Sequence, residues 1–355
     1  MKSKKRRVLS GILYISLTIA VIVLIGVLDP QIKDLPEALK RFELFWLLAC
    51  VGSLLMFWLT DALLLHDITT YIYKKVPLRH SIKVGLIGLY YGALTPFATG
   101  GQPMQVVYMK RRKIPFGTSI CIVGIKFLIY ELSICFFFII SMFARGAAFY
   151  TENNQMFWLT IFGFAINLLL MFMIVLTLFN KKLVLRAGRG IVRLLARIKL
   201  IKNKEQVLHS FETSIDEYQT AASYLSKYKL RALRSFLISL VNLSFLFIIP
   251  YFIYRAFGLK DMGVLDILTL QAFLYLAVSF IPTPGSSGAA EGGFYFFFKS
   301  IFPQGTIVIG MLVWRFLTYY LMLIMGSILV VLDEVFTIRC HEREKAQAKM
   351  KKGED

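Results

Sequence analysis

The chain has 355 residues, of which 57% are hydrophobic and 17% are charged, whereas an average soluble domain has about 25% charged residues. This composition excludes an ordinary soluble protein and predicts a polytopic membrane protein. The net charge of +20 comes from short basic blocks between apolar runs, a pattern typical of cytoplasmic loops and unlike a nucleic-acid-binding surface.

The sequence carries no recognisable catalytic or cofactor motif. The four cysteines and four histidines show neither the paired spacing of a disulfide framework nor that of a metal site. Phosphate-binding loops, dinucleotide-binding motifs and Gly-x-Ser-x-Gly are missing from the sequence. We therefore expect no metal, no cofactor and no catalytic residue, and we favour a transporter over an enzyme.

The first 43 residues predict a retained signal-anchor helix followed by an outer loop. The basic residues among positions 2–7 place the N-terminus in the cytoplasm. The apolar run Val8–Leu28 is long enough to cross the membrane. A second span, Leu44–Leu65, then returns to the basic segment His66–Ser81.

The next segment predicts a hairpin that enters the membrane and returns to the same side. Ile82–Leu94 has 13 residues, roughly 20 Å of helix against about 30 Å of hydrocarbon. The breaker run Thr95–Pro103 (T-P-F-A-T-G-G-Q-P) follows, and Met104–Met109 leads to the four cations Lys110–Lys113. Both limbs therefore start at the cytoplasmic side, which predicts a re-entrant hairpin.

The middle of the chain predicts two further spans and a membrane-surface segment. Ser119–Phe143 crosses outward, Arg145–Gln155 forms a short outer loop and Met156–Phe179 crosses back. Lys181–Lys204 then holds nine Lys and Arg and no acid. Together with the residues up to Lys227, it predicts amphipathic helices bound to the anionic inner leaflet.

A second broken segment lies in the C-terminal half. Leu230–Phe257 crosses outward, and Val264–Ile281 enters from outside to meet the breaker run Pro282–Gly293. Phe294–Phe302 returns to the outside, and Thr306–Leu332 crosses inward. The second hairpin therefore opens outward, whereas the first opens inward.

The two breaker runs align from their Thr-Pro dipeptides, with three of seven positions identical. The sequence thus predicts an all-α membrane protein with six full spans and two oppositely oriented re-entrant hairpins in an inverted repeat. Both termini are expected in the cytoplasm, and the sequence leaves open whether the chain forms a homo-oligomer. The predicted units are 1–43 (anchor), 44–143 (repeat 1), 144–180 (connecting span), 181–229 (basic segment), 230–332 (repeat 2) and 333–355 (polar tail).

A cation lies in the middle of an apolar span in each half. Lys126 follows Thr95 by 31 residues, and Arg315 follows Thr283 by 32. Placing such a charge at the membrane centre costs about 2.5–3.5 kcal/mol on the insertion scale, and intramembrane charges are by default functional candidates. One interpretation is that both cations line a hydrated groove and attract an anionic group.

The other interpretation is that each cation belongs to a structural ion pair. Lys126 would pair with Asp61 or Glu131, and Arg315 with Glu291. Asp61 and Glu131 could instead form part of a pathway for a coupled proton or cation. Glu291 follows the second turn, where it could stabilise a helix N-terminus or act as a gate or headgroup contact.

The two turns predict a polar site at mid-depth, because Gly- and Pro-broken segments at matching places in two halves indicate a transporter's binding site. Exposed amides at the start of each returning limb favour anions. We expect the lipid headgroup to contact Thr95, Thr99, Gly100, Gly101, Gln102, Lys126, Thr283, Ser286, Ser287, Gly288, Glu291 and Arg315.

At these residues the chain resembles a known family. Thr-Pro-Phe-x-x-Gly-Gly-Gln-Pro at Thr95–Pro103 and Pro-x-Pro-Gly-x-x-Gly-x-x-Glu at Pro282–Glu291 are similar to the two signatures of the lysylphosphatidylglycerol synthase transmembrane, or flippase-like, family. This family includes the membrane domain of the multiple peptide resistance factor. The resemblance extends from about Val8 to Val335.

The resemblance implies a phospholipid flippase of the bacterial cytoplasmic membrane, with a link to lipid metabolism and antibiotic resistance. The alternative it implies is a phosphatidylglycerol lysyltransferase, which moves lysine from lysyl-tRNA to the lipid. That activity is disfavoured, because the family's aminoacyl-transferase domain has no counterpart in this sequence. The lipid, the direction of movement and the energy source stay open.

Overall fold

The computed structural model describes residues 43–73, 75–180, 227–303 and 306–333, together with scattered positions between 182 and 223. The predicted first span Val8–Leu28, the polar tail and most of Lys181–Lys204 lie outside the described residues. Within the described part, regular structure is helical, apart from one isolated bridge between two turns. The helices in chain order are α1 (Leu44–Ile72), α2 (Leu78–Leu94), α3 (Gly101–Arg111), α4 (Phe116–Glu152), α5 (Asn154–Phe179), α6 (Lys229–Phe247), α7 (Ile249–Ala256), α8 (Val264–Val278), α9 (Ala289–Phe298) and α10 (Thr306–Arg315).

The last span is α10 with its continuation, a π-helical turn at Phe316–Tyr320 and helical residues up to Asp333. Among the described residues, five helical stretches are long and apolar enough to cross a membrane: α1, α4, α5, α6 with α7, and the last span. The chain is therefore an all-α polytopic membrane protein, as the sequence predicts. The total number of spans and the repeat boundaries stay predictions.

The helices are longer than the predicted membrane spans. α1 continues to Ile72, beyond Leu65, and α4 has 37 residues and ends at Glu152. Most of the predicted outer loop Arg145–Gln155 is therefore helical, and that prediction was wrong. Charges mark where a span leaves hydrocarbon, but a helix continues until a residue interrupts its hydrogen bonds. Prolines mark helix starts here, since Pro77 and Pro115 are the residues directly before α2 and α4.

The returning limbs also begin earlier than the breaker runs suggested. α3 begins at Gly101 and α9 at Ala289, both inside the predicted runs. Proline and glycine are tolerated in a first helical turn, where the amides lack intrahelical acceptors. The limbs α2, α3, α8 and α9 have 17, 11, 15 and 10 residues, fewer than the approximately 20 that a crossing requires.

The two helical hairpins, α2–α3 and α8–α9, open at opposite ends of the bundle. Arg234 at the start of α6 pairs with Asp67 near the end of α1, at 3.3 Å. The Glu43 amide before α1 donates to the Ala256 carbonyl at the end of α7, at 2.8 Å. The α6–α7 span is therefore antiparallel to α1. Hairpin α2–α3 starts at the Ile72 end of α1, and hairpin α8–α9 starts at its Leu44 end.

Each hairpin is tied to a neighbouring span near its base. Lys83 on α2 and Arg111 on α3 both pair with Asp333 at the end of the last span. Asp266 at the start of α8 pairs with Arg145 on α4, with 3.2 Å between nitrogen and oxygen. These ion pairs fix the bases and leave the tips to be positioned by other contacts.

The apolar core is divided into two clusters. One occupies the Leu44 end and includes Trp58, Ile134 and Phe273; the other occupies the Ile72 end and includes Leu64 and Ile129. The division falls between positions 58 and 64 on α1 and between 129 and 134 on α4. We use the name polar layer for Thr60, Asp61, Tyr130 and Glu131 at this division, together with Lys126 one turn earlier on α4, whose amine reaches Asp61. All of these are buried except Tyr130, which is half-buried.

Candidate functional site

The tips of the two hairpins touch. Pro96 and Pro284 form an isolated antiparallel bridge, so two segments that start at opposite ends of the bundle meet inside it. Proline locks its own backbone and pushes the preceding residue into an extended conformation. Thr95 accordingly has φ −117° and ψ 145°. Thr95-Pro96 therefore directly follows the end of α2, whereas α8 ends at Val278, five residues before Thr283. The two prolines form the contact between the tips.

The two turns share an uncommon backbone conformation at matching positions. Phe97 and Ala98 have φ values of 53° and 54°, and Gly285 and Ser286 have 58° and 52°. These residues are the first and second after each proline. Side chains other than glycine rarely adopt positive φ, so two such residues in succession at the same place in both turns support a structural repeat. 

The first tip is capped by its own threonine and is exposed. The Thr95 hydroxyl accepts a hydrogen bond from the Gly100 amide and donates one to the Tyr91 carbonyl, both at 2.8 Å. The Thr99 hydroxyl donates to the Pro96 carbonyl at 2.9 Å. Residues 96–99 are exposed. Of the predicted contact residues of this tip, Thr99 is therefore exposed, Thr95, Gly100 and Gln102 are half-buried, and Gly101 is buried.

The first returning limb approaches the entering limb closely. A side chain at Gly101 would place its Cβ 2.7 Å from the Gly88 carbonyl oxygen. The side chain of Gln105, which is buried, packs against Gly88. Gln102 lies half-buried one residue into α3. Gln105 was not among the predicted site residues, although a glutamine in a short apolar limb is itself a signal.

The second tip is held by Arg315. Its guanidinium donates to the Gly285 carbonyl at 2.8 Å and to the Ser287 hydroxyl at 3.1 Å. It also forms an ion pair with Glu291, with 2.6 Å between Nε and Oε1. Both charged side chains are buried, at 5% and 0% exposure. Arg315 therefore connects the last span to the turn and to the returning limb α9.

The remaining predicted residues of the second tip stabilise the turn. The Thr283 hydroxyl donates to the Ser287 carbonyl, and the Ser286 hydroxyl donates to the Val278 carbonyl, both at 3.0 Å. The second Glu291 oxygen accepts from the Gly288 amide at 2.7 Å, where it also complements the N-terminus of α9. Unlike the first tip, this turn is half-buried or buried except at Pro282.

Tyr319 joins the second tip to the first hairpin. Its ring lies under the Arg315 guanidinium, with 4.1 Å from Cζ to the ring centroid. Its hydroxyl donates to the Ala93 carbonyl at the end of α2, at 3.3 Å. The ring lies so close to Gly285 that a Cβ there would be 2.1 Å from a ring carbon. Tyr319 was not among the predicted site residues.

The cation of the first half pairs with an acid on a different helix. Lys126 Nζ lies 2.7 Å from the Asp61 carboxylate on α1. A Cβ at Gly85 on α2 would lie 3.1 Å from Asp61 Oδ2, so the entering limb passes directly beside the pair. Glu131 is not paired with Lys126. The Oε2 atom of Glu131 is buried and lacks a hydrogen-bond partner within the part of the chain that the structure describes.

A tyrosine follows each cation by four residues and contacts the opposite hairpin. The Tyr130 hydroxyl hydrogen-bonds the Tyr275 hydroxyl on α8, at 2.9 Å, just as Tyr319 bonds α2 at Ala93. The match between Lys-Phe-Leu-Ile-Tyr and Arg-Phe-Leu-Thr-Tyr contained this signal. Each half of the chain thus supplies a tyrosine hydroxyl to the entering limb of the other half, and we call these the crossed hydroxyl contacts.

A family model described as "Lysylphosphatidylglycerol synthase TM region" matches residues 11–326. The chain belongs to this family. The match includes both hairpins and both intramembrane ion pairs, and it confirms the resemblance found at the two breaker runs.

A curated relative of the same family is similar over most of its length. It is described as "UPF0104 membrane protein" of Archaeoglobus fulgidus and is 29% identical over 301 residues, which cover 80% of this chain and 86% of the relative.

Proposed function

We propose that this chain moves a lipid with an anionic or zwitterionic headgroup across the cytoplasmic membrane. The observation that carries the proposal is the meeting of two oppositely opening hairpins, Pro96 against Pro284. The buried Arg315–Glu291 pair lies at the second tip, and the buried Lys126–Asp61 pair lies beside the entering limb of the first hairpin. Such an arrangement offers one polar place in an apolar bundle, within reach of both ends. A translocated headgroup requires a polar place of this kind.

The exposed first tip supports access of a headgroup. Non-helical backbone is tolerated at membrane depth where it is buried in protein or lines a water-filled cavity. The turn at residues 96–99 is exposed and is therefore expected to face a hydrated groove. In the proposed mechanism the headgroup enters this groove and contacts Thr99, Gln102 and the amides at the start of α3, while the acyl chains stay in the lipid.

The buried cations then balance the charge of the headgroup. A phosphate is a suitable partner for a guanidinium, which binds it through paired hydrogen bonds. Arg315 is held by Glu291 and by the Gly285 carbonyl, so an arriving phosphate competes with these groups for the same donors. Exchange of one anion for the other would release the second tip and let the two repeats rock.

The orientation in the membrane follows from the positive charges. Lys110–Lys113 lie at the base of the first hairpin, at the Ile72 end of the bundle. Because cytoplasmic loops carry an excess of lysine and arginine, we assign this end to the cytoplasm. The same rule places the basic segment Lys181–Lys204 against the anionic inner leaflet and both termini in the cytoplasm of a bacterial cell.

Reconstitution tests this proposal directly. Purified protein in liposomes is given lipids labelled on the headgroup, and their protection from an added membrane-impermeant quencher is followed over time. Phosphatidylglycerol, lysylphosphatidylglycerol, phosphatidylethanolamine and phosphatidylcholine probes cover anionic, cationic and zwitterionic headgroups. We expect faster transfer than in empty liposomes for at least one probe.

Two variants make the test specific. Arg315→Leu should abolish the acceleration, because it removes the buried headgroup cation. Lys299→Leu is the matched control, since Lys299 is an exposed cation stacked on Phe296 at the base of the second hairpin, and its transfer rate should equal that of the wild type. The absence of acceleration with all four probes would refute lipid translocation.

A further inference from the structure

Glu131 is a buried acid that the proposed headgroup site does not use. It lies on α4 in the polar layer and is 4% exposed. Its Oε2 atom is buried and accepts no hydrogen bond from the described residues. The nearby cation Lys126 is already engaged by Asp61 at 2.7 Å. Among the described residues, therefore, no lysine or arginine forms an ion pair with the Glu131 carboxyl group.

Burial without a partner determines the protonation of this carboxyl group. An ionised carboxylate moved into a protein interior loses several kcal/mol of hydration unless hydrogen bonds or a counter-charge replace it. A neutral carboxylic acid avoids most of that cost. In the conformation described here, Glu131 is accordingly protonated, whereas a conformation that admits water or frees Lys126 would allow it to ionise.

The groups around Glu131 connect it to both hairpins. On its own helix, Tyr130 and Cys135 interact with it electrostatically, and Tyr275 does so from α8. Asp61 on α1 interacts with the same Tyr130 hydroxyl. The helices α5 and α6, which also pack against α4, carry no ionisable side chain among their buried described residues.

The pair of tyrosine hydroxyls beside Glu131 connects α4 to the second hairpin. Tyr130 and Tyr275 connect α4 to the entering limb of the second hairpin, and Asp61 lies against the entering limb of the first, at Gly85. A displacement of either limb changes the surroundings of Glu131. Conversely, a charge on Glu131 would attract Lys126, compete with Asp61 and favour a different arrangement of the limbs.

We infer that Glu131 is a proton-binding site that takes up and releases one proton in each transport cycle, so that lipid movement is coupled to proton movement. This inference rests on the proposed lipid translocation. The proton binds in the closed arrangement described here and leaves when a limb moves and Glu131 is hydrated. The energy source would then be the proton gradient across the membrane.

Liposomes with an imposed pH gradient and a clamped membrane potential test the coupling. With one proton per lipid, each pH unit shifts the equilibrium ratio of labelled lipid between the two leaflets by about tenfold, since one pH unit corresponds to about 1.4 kcal/mol. Wild-type protein should show this shift. Glu131→Gln, which imitates the protonated form, should move lipid to an equal distribution whatever the gradient.

Glu152→Gln is the matched control, because Glu152 is an exposed acid at the far end of the same helix, and it should respond as the wild type does. A pH-sensitive dye inside the liposomes gives a second readout that requires no variant, namely a proton flux that starts when the transported lipid is added.

The possible failures are distinguishable. Lipid movement by the wild type without a gradient response or lipid-dependent proton flux overturns the inference and leaves translocation standing. A Glu131→Gln protein that still follows the gradient also overturns it. If the wild type moves none of the four labelled lipids, translocation itself fails and the coupling fails with it.

Discussion

The two intramembrane cations occupy matching positions in the two halves but are paired in different ways. Lys126 is bound by Asp61, which lies on the span before the first hairpin. Arg315 is bound by Glu291, which lies on the returning limb of the second hairpin itself. The position that corresponds to Glu291 in the first hairpin is Pro103, eight residues after the threonine in each case.

This difference determines how firmly each tip is held. Arg315 binds the turn of its own hairpin through Gly285 and Ser287, so the second tip is tied to a span. The first tip is held by the local cap from Thr95 and by the neutral hydrogen bond from Tyr319 to Ala93, and its ion pair lies beside the entering limb at Gly85. The comparison indicates that the two similar halves have different roles. The second turn is anchored to a span, and the first turn is accessible.

Removing the two cations one at a time should give the largest difference between the halves in lost free energy of unfolding. Deleting one partner of a buried pair costs about 3–5 kcal/mol, because an uncompensated charge stays buried. We expect Arg315→Met to reach the upper end, since it also frees the second tip, and Lys126→Met to stay near the lower end. Unfolding of the purified proteins in detergent by denaturant measures both.

The double variants Arg315→Met/Glu291→Gln and Lys126→Met/Asp61→Asn are the controls, since each removes the buried charge that the single change leaves behind. Both should recover most of the lost stability. Equal losses for the two single variants would contradict the idea that one cation anchors a tip and the other does not.

Crowding at the anchored turn should give an intermediate effect. Gly285 has φ 58° and faces the Tyr319 ring, whereas Gly258 has φ 74° and open space around it. Both Gly→Ala changes meet the left-handed penalty of about 1–2 kcal/mol, and Gly285→Ala adds overpacking of about 1–3 kcal/mol. Denaturant midpoints of the two variants should differ accordingly, and equal midpoints would show that Tyr319 yields without cost.

Removing either of the two crossed hydroxyl contacts should give the smallest loss of stability, and the two losses should be similar. Tyr130→Phe and Tyr319→Phe each remove one hydrogen bond to the opposite hairpin, worth about 1 kcal/mol, and leave the ring in place. Tyr251→Phe is a control, because its ring packs on Trp46 away from both tips. Hydrogen exchange should increase at the end of α2 for Tyr319→Phe and in α8 for Tyr130→Phe; exchange that increases in neither limb argues against the crossed arrangement.

The sequence predicted the features that depend on local chemistry. Helix breakers located both turns, short apolar limbs predicted that neither hairpin crosses, and lysine counts predicted that the hairpins open at opposite ends. The structure has both turns, in hairpins that start at opposite ends of the bundle, and the family match covers the same region. That neither hairpin crosses the membrane stays a prediction. In hydrocarbon, backbone groups without hydrogen bonds are costly, so few conformations are available to such segments. The pattern of helix breakers and charges is therefore sufficient to locate the hairpins.

Contacts between distant segments could not be predicted in the same way. The sequence left Lys126 with two candidate acids, and the choice of Asp61 depends on how α1 is rotated against α4. Charges suggested that α4 ends near Arg145, whereas the helix continues to Glu152, because nothing earlier interrupts its hydrogen bonds. Gln105, Tyr275 and Tyr319 gain their importance from neighbours that are remote in the chain.

The π-helical turn at Phe316–Tyr320 sets the rotational phase of the last span. A π turn accommodates one more residue than an α turn, and one residue corresponds to about 100° of helical rotation. Everything beyond Tyr320 is therefore turned relative to Arg315, and in this orientation Gly326 lies against the Tyr90 ring while Asp333 reaches Lys83. The single extra residue of the π turn thus allows the last span to contact the second hairpin at its middle and the first hairpin at its end.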